Sequence, residues 1–430
     1  MKSLIIIRIA LIIALTFIWS KINNAQPSEV WVEKYDGKNL SDVPSKMIFD
    51  KYGNLIITGR SHVNSSGNPE VRTVKYSTSG QLLYSTFFGL GNYVSVIPSD
   101  IGIDNDNNLI LAGRWQHYTL SHLIVSKFDD EGKETWTVFY KGDLFPSAAG
   151  RSLTTDILGN VYAAGDYKTI DGEYVICLFK YSPKGEKLWS RFHSDISSTQ
   201  NRAVSVITDT DGNVYLAGIG DETGSNKNYL IKKYSNSGEE IWTKAIDSDG
   251  ENEGFESDDM IVCIKADNDG NVFATGSCYG ENGRDFFTVK FNGKGIQEWT
   301  SKLDLSMLIN SSHSDIKIFY DDVPVDMEIN TDGDVYITGK STGSNGGSQI
   351  VTEKIRNDGK LLWAKAFDNP DFDYSENAPT DMTMDRFENV FITGYKNGSN
   401  LMIDCSSGKD MTTLKYSPDG VAFFILFITH

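Results

Sequence analysis

Apolar and polar residues alternate in short runs along the chain, as in Asn213–Leu216 and Leu230–Tyr234, and Gly, Asn, Asp or Ser bounds each run. A period of two with that punctuation predicts β-strands joined by tight turns. Apart from an apolar stretch near the N-terminus, no window of adequate length carries a helical period. The strands are themselves periodic. DTDGNVYLAG, Asp209 to Gly218, has relatives ending at Gly59, Gly113, Gly165, Gly276, Gly339 and Gly394, at steps of 52 to 63 residues. Each copy is a hairpin. A second constant part follows in every unit: YSPKGEKLWS, Tyr181 to Ser190, has six relatives, with turn glycines at Gly80, Gly132, Gly185, Gly238, Gly295, Gly359 and Gly420. Four residues after each glycine stands an aromatic: Tyr84, Trp136, Trp189, Trp242, Trp299, Trp363 and Phe424.

One unit therefore runs strand, turn, strand, variable loop, strand, turn, strand, variable loop. Four antiparallel strands repeated seven times predict an all-β fold, a single seven-bladed β-propeller. A lone four-stranded sheet leaves much of its apolar surface in water, whereas a ring of sheets covers each with its neighbours. An open solenoid would need atypical capping units, and none is visible. At the seam there are eight candidates for seven fourth strands, because Glu29–Gly37 (EVWVEKYDG) and Val421–Ile428 both fit. Trp31 makes the first the better match, so an N-terminal strand is expected to join the last blade and close the ring.

The pairing of DGNVYLAG with a later KYSxxGxxLW resembles the bacterial β-propeller repeats known as SBBP repeats, over essentially all of Val30 to Phe424. The resemblance implies the propeller scaffold and a secreted protein, and it implies no activity. The turn and tryptophan half is also similar to quinoprotein-like propellers, without a quinone site.

The repeated residues have structural uses. Three positions before each first-turn glycine or its substitute stands Asp50, Asp104, Asp156, Asp209, Asp267, Asn330 or Asp385, which can cap backbone N–H groups two or three residues on. DNDGN at Asp267–Asn271 also suggests calcium, but these loops lack a later bidentate carboxylate and are too short to wrap an ion. A lysine precedes each second-turn glycine by five: Lys75, Lys127, Lys180, Lys233, Lys290, Lys354 and Lys415. Pairing with a neighbouring acid between blades is the expected role, against an anion-binding annulus. The tryptophans should fill wedges between blades.

Composition narrows the picture. At 40% hydrophobic and 12% aromatic residues, the chain can fill a large core rather than remain disordered. Its net charge of −18 argues against nucleic acid as a partner. Lys2 and Arg8, the apolar run Ile9–Trp19 and Ala25 form an export signal, so residues 1–25 are a signal peptide and 26–430 the propeller. The run is short for a membrane span. The protein is expected to be periplasmic or extracellular and monomeric. Of Cys177, Cys263, Cys278 and Cys405, Cys263 and Cys278 flank one hairpin and either bridge or stay as buried thiols.

Catalytic chemistry is thin. His62, His117, His122, His193, His313 and His430 form no metal-ligand pairs, though His117 and His122 share one loop, and no nucleophile elbow or phosphate loop is present. Neither catalytic nor metal residues are assigned, and no cofactor is expected beyond calcium at the acidic loops. The insertions Asp247–Asp259, Leu303–Asp322 and Asp368–Asp381 all fall on one face, making it long-looped and acidic. Asp247, Asp249, Glu251, Glu253, Glu256, Asp258 and Asp259 crowd one loop, and Asp368, Asp371, Asp373 and Glu376 another, with Phe255, Phe372 and Tyr374 among them. Loops on a rigid scaffold carry binding. The expected function is binding or scaffolding through this face, toward a protein, glycan or cationic partner. A polysaccharide lyase or hydrolase at the axial mouth is the alternative.

Overall fold

The computed structural model describes residues 42–62, 69–77, 81–89, 94–142, 147–194, 201–220, 228–246, 259–280, 283–304, 321–342, 347–367, 377–385, 387–397, 409–420 and 422–425. Within them, twenty-eight strands, β1 to β28 in chain order, form seven four-stranded antiparallel sheets. Blade four is representative, with β13 (Arg202–Thr208), β14 (Val214–Gly220), β15 (Asn228–Tyr234) and β16 (Glu240–Ile246) side by side. Alternate residues of β14 are buried in opposite directions. Tyr215 and Ala217 pack with Val272 and Ala274 of blade five, and Val214 and Leu216 pack with Ile176 and Leu178 of blade three. This period-two burial on both faces is what a blade between two blades requires.

The first turn is held by its acid. Asp209 Oδ1 accepts from the N–H groups of Asp211 (3.1 Å) and Asn213 (2.8 Å), two and four residues on, so the cap spans one residue more than the sequence suggested. Its Oδ2 accepts from Asn213 Nδ2 at 2.8 Å and the Tyr215 hydroxyl at 3.1 Å. Gly212 sits at φ 77°, and the substitutes Asn107 and Glu388 occupy the same left-handed conformation at 68° and 62°.

The lysine and tryptophan join blades. Lys233 Nζ lies 3.5 Å from Asp209 of its own blade and donates to the Gly293 carbonyl of the next at 3.1 Å. Trp242 Nε1 donates to that same carbonyl at 3.4 Å. One turn carbonyl thus receives both donors, an arrangement repeated at Pro183, Asn236, Asn357 and Pro418. The second-turn glycine lies against the tryptophan: a Cβ on Gly295, at φ 76°, would sit 3.0 Å from the Trp242 ring. The six lysines whose side chains are described, all but Lys415, therefore stand between blades, paired with acids, as expected.

The seam differs from expectation. The fourth place in the last blade is held by β28 (Ala422–Ile425), paired with β27 (Lys409–Tyr416) through Tyr416–Ala422 to Thr413–Ile425. A tight turn with Gly420 at φ 80° delivers β28 to its partner, so closing this pair costs little chain entropy. Glu29–Gly37, expected there, lies outside the described residues, as do residues 1–25.

Candidate functional site

The first strands of adjacent blades surround the axis: β1 (Asp42–Phe49), β5 (Val94–Ile103), β9 (Ala148–Thr155), β13, β17 (Met260–Ala266), β21 (Asp322–Ile329) and β25 (Asn377–Met384). In every blade the register of this strand against the second slips once, between the residue that faces the TG-type glycine and the residue two further along. The ring of equivalent residues is Lys46, Asp100, Ser152, Ser205, Cys263, Asp326 and Asp381, each thirteen positions before its blade's TG-type glycine. That constant offset was legible in the sequence and was missed, because the residue type changes from blade to blade.

The ring joins neighbouring blades. Asp100 Oδ2 accepts from Ser152 Oγ and the Leu153 N–H, both at 2.9 Å, and Ser152 Oγ accepts from the Val206 N–H at 3.2 Å. Asp326 Oδ2 accepts from the Met382 N–H at 3.1 Å. Between blades seven and one, Asp381 accepts from Lys46 Nζ at 2.8 Å and the Met47 N–H at 3.4 Å. The bonds from the Leu153, Val206, Met382 and Met47 N–H groups occupy backbone donors on the inner strand edge that have no strand to pair with. Burial raises the Asp100 and Asp381 carboxyls above the ordinary range; Lys46 opposes this at both, and Asp326 raises Asp381 further. Burial works against the Lys46 charge, but Asp381, Asp326 and Asp100 outweigh it and hold the ammonium above its usual range. A second pair, Lys265 with Glu328 at 3.3 Å, stands two residues further along. The axis is polar, with Asp100, Asp326, Asp381 and Glu328 against Lys46 and Lys265, and the three aspartates are already engaged by N–H groups.

The long-looped face is less balanced. Asp285 on β19 (Arg284–Phe291), Asp304 directly after β20 (Gln297–Leu303) and Asp322 at the start of β21 bring carboxylate oxygens within 4.8 Å of one another. Asp304 and Asp322 stand at the two feet of the second insertion, Leu303–Asp322. Exposed Asp321 accepts from the Arg284 N–H at 3.2 Å, and Lys302 Nζ lies 4.0 Å from Asp285. For calcium the oxygen chemistry is suitable, but roughly six to eight ligands are needed and three of the described carboxylates converge here. Asp285 was missed because its place depends on packing between blades five and six.

Of the predicted site residues, Asp259 is buried to 1% exposure at the head of β17, close enough to raise the Tyr229 hydroxyl pKa. It is part of the blade and not a surface contact. Asp247, Asp249, Glu251, Glu253, Glu256, Asp258, Asp368, Asp371, Asp373 and Glu376 lie outside the described residues, as do Phe255, Phe372 and Tyr374. Cys263 and Cys278 are free thiols. Cys263 faces the blade five and six core and Cys278 the blade four and five core, so the sheet itself separates them. His117 and His122, expected to share a loop, lie instead in strands, His117 ending β6 before the two-residue turn and His122 inside β7 paired with Trp115, and both rings lie beside Trp115.

No protein-family model matches the chain, and no curated protein matches it. Among solved structures, a puromycin hydrolase is similar at a TM-score of 0.54 and 11% identity, over 93% of this chain and 56% of that one. This chain therefore spans about half of that protein's length. The periplasmic gluconolactonase of Pseudomonas aeruginosa is similar at a TM-score of 0.50 and 11% identity, over 83% of this chain and 99% of that one. At such identity the likeness is one of fold. The chain is an all-β, seven-bladed β-propeller.

Proposed function

We propose that the protein is an exported binding propeller whose long-looped face engages a cationic segment of a protein or glycan partner. The convergence of Asp285, Asp304 and Asp322 at the feet of an insertion carries this reading. Among the described residues these three carboxylates lie within 4.8 Å of one another, with Asp304 half-buried and Asp285 and Asp322 buried. Net charge of the same sign would draw such a partner in and make binding salt-sensitive. The test is calorimetric titration with an oligolysine peptide. The wild type should bind with an affinity that falls in high salt, and Asp285→Asn with Asp304→Asn should weaken it about ten-fold, the worth of one or two charge-assisted contacts. Equal binding by the variant would sink the reading.

A lyase or hydrolase at the axial mouth would use Lys46 with Asp326 and Asp381. The hydrogen bonds that already hold these carboxylates weigh against it. Polysaccharide turnover by the wild type that Lys46→Met abolishes without unfolding the ring would favour it instead.

A further inference from the structure

Blade two carries a feature that neither the repeat nor the acidic face explains. On β6 (Leu109–His117), β7 (Leu120–Phe128) and beside the end of β8 (Glu134–Tyr140), Trp115, His122, Phe139 and Lys141 line an open cleft of about 340 Å³. The rings are ordered rather than merely close. Trp115 and His122 stack with centroids 4.6 Å apart and planes at 15°. Phe139 stands nearly perpendicular to both, at 82° and 80°, forming a wall. The row continues through His117, 5.9 Å from Trp115, to Tyr118, 4.5 Å further on. Tyr118 is exposed and holds φ at 50°, a conformation that costs a bulky residue and that turn sequences ordinarily avoid.

Core packing accounts for only part of this. Trp115 leans on the blade one and two core, but Phe139 keeps 42% of its surface in water, and Leu120 and Tyr118 beside it are exposed. Other blades place Ser61, Tyr167, Gly220, Cys278, Ser341 and Lys396 at the position of Trp115, two after the TG-type glycine. Blade three repeats the aromatic pair with Tyr167 and Phe192 but places Val175 where blade two has His122, so the stacked tryptophan–histidine face is particular to blade two. Lys141 is exposed at the cleft margin and makes no ion pair among the described residues. Burial and the nearby Lys141 lower the His122 pKa, so its ring stays neutral and stacks as an uncharged surface.

We propose that this cleft is a binding subsite for one anionic sugar ring, a uronic acid residue of a polysaccharide. A flat, rigid π-face accepts the C–H face of a pyranose, Phe139 bounds the ring's edge, and the Lys141 ammonium meets the carboxylate. The cleft is at the small end of ligand sites, which run roughly 300–1,000 Å³, and so suits one ring rather than a chain in cross-section. An unpaired cation beside stacked aromatics, on a chain whose net charge is −18, selects an anion locally against the overall field. The site is remote in sequence from the carboxylate group on blades five and six and acts independently of it.

The experiment is calorimetric or NMR titration of the full chain with trigalacturonate and with galactotriose, which differ in the carboxylates. The wild type should prefer the acidic sugar about ten-fold, the worth of one charge-assisted hydrogen bond. Lys141→Ala, at an exposed position, should abolish that preference while leaving the melting temperature unchanged. Phe139→Ala should weaken both sugars. Equal affinity of the wild type for the two sugars, no binding of trigalacturonate at its solubility limit, or an undiminished preference in Lys141→Ala would overturn the proposal. Because Lys141 lies away from Asp285 and Asp304, loss of uronate binding and loss of oligolysine binding are separate outcomes.

Discussion

Glu353 is the charge that the fold accommodates least. It is 1% exposed, its strand neighbours are Ile337 and Ala364, and its Oε2 meets no donor among the described residues. Burial, with a smaller push from Asp322, raises its carboxyl from 4.5 to about 8. Asp50 shows the reverse: burial opposes its charge, but Asn54, Lys75 and backbone N–H groups outweigh it and hold the carboxyl at about 2. The two make opposite contributions to pH dependence. A lowered carboxyl stabilises above its unfolded value and loses that as pH falls, whereas a raised one favours the fold at low pH and loses that as pH rises. Glu353 should therefore cost stability progressively between pH 4.5 and about 8. Relative to Glu353→Gln, the wild type should weaken by a few kcal/mol across this window, at about 1.4 kcal/mol per unit. Urea unfolding of both proteins from pH 5 to 9 checks it, and a constant difference would contradict it. Residues of this kind were not legible in the sequence. The turn acids, the lysines and the tryptophans were, since each recurs at a fixed offset and its partner is another repeated part. Glu353 stands where other blades place Val74, Ser126, Phe179, Lys232, Val289 and Leu414, so nothing periodic marks it.

Among elements, the ring-closing contact between β1 and β25 is the most exposed to failure. Other blades follow one another in the chain, so their contacts form between near neighbours, whereas this one joins residues 335 positions apart. Its side-chain content is Lys46 with Asp381, set beside Asp326 and Asp100. Lys46→Met removes the cation and leaves clustered carboxylates without compensation, which should destabilise the ring by on the order of 2–3 kcal/mol. Adding Asp381→Asn should recover part of the loss, because the remaining group is then neutral. Thermal melts of the single and double variants decide it, and a double variant weaker than the single would refute the assignment. The sequence misplaced the seam for a related reason. Trp31 made Glu29–Gly37 the better match in residue type, but type does not weigh the entropy of bringing a distant segment to the last blade. The strand Ala422–Ile425, poorer in pattern, needs only the Gly420 turn to reach β27. Likewise, the spacing of Cys263 and Cys278 allowed a bridge, and the opposite faces they occupy forbid it.

For the whole molecule, the two ends of the ring have different work. On one end the constant turns are consumed by joints: in blades three to seven a second-turn carbonyl receives the lysine and tryptophan of the preceding blade. On the other, strands end in loops of unequal length, and there the carboxylates of Asp285, Asp304 and Asp322 converge. This asymmetry was legible in the insertions, but the assembly of acids from three elements was not, since it depends on which loop feet the blades bring together. The most direct test is quantitative capture of partners from the native envelope or medium by three proteins. They are the wild type, Asp285→Asn with Asp304→Asn on the long-looped end, and Asp211→Asn with Asp269→Asn at exposed positions of the constant turns. The account predicts a salt-sensitive partner that the constant-turn variant retains and the long-looped variant loses. Retention by both variants, or loss by the constant-turn variant alone, would contradict it.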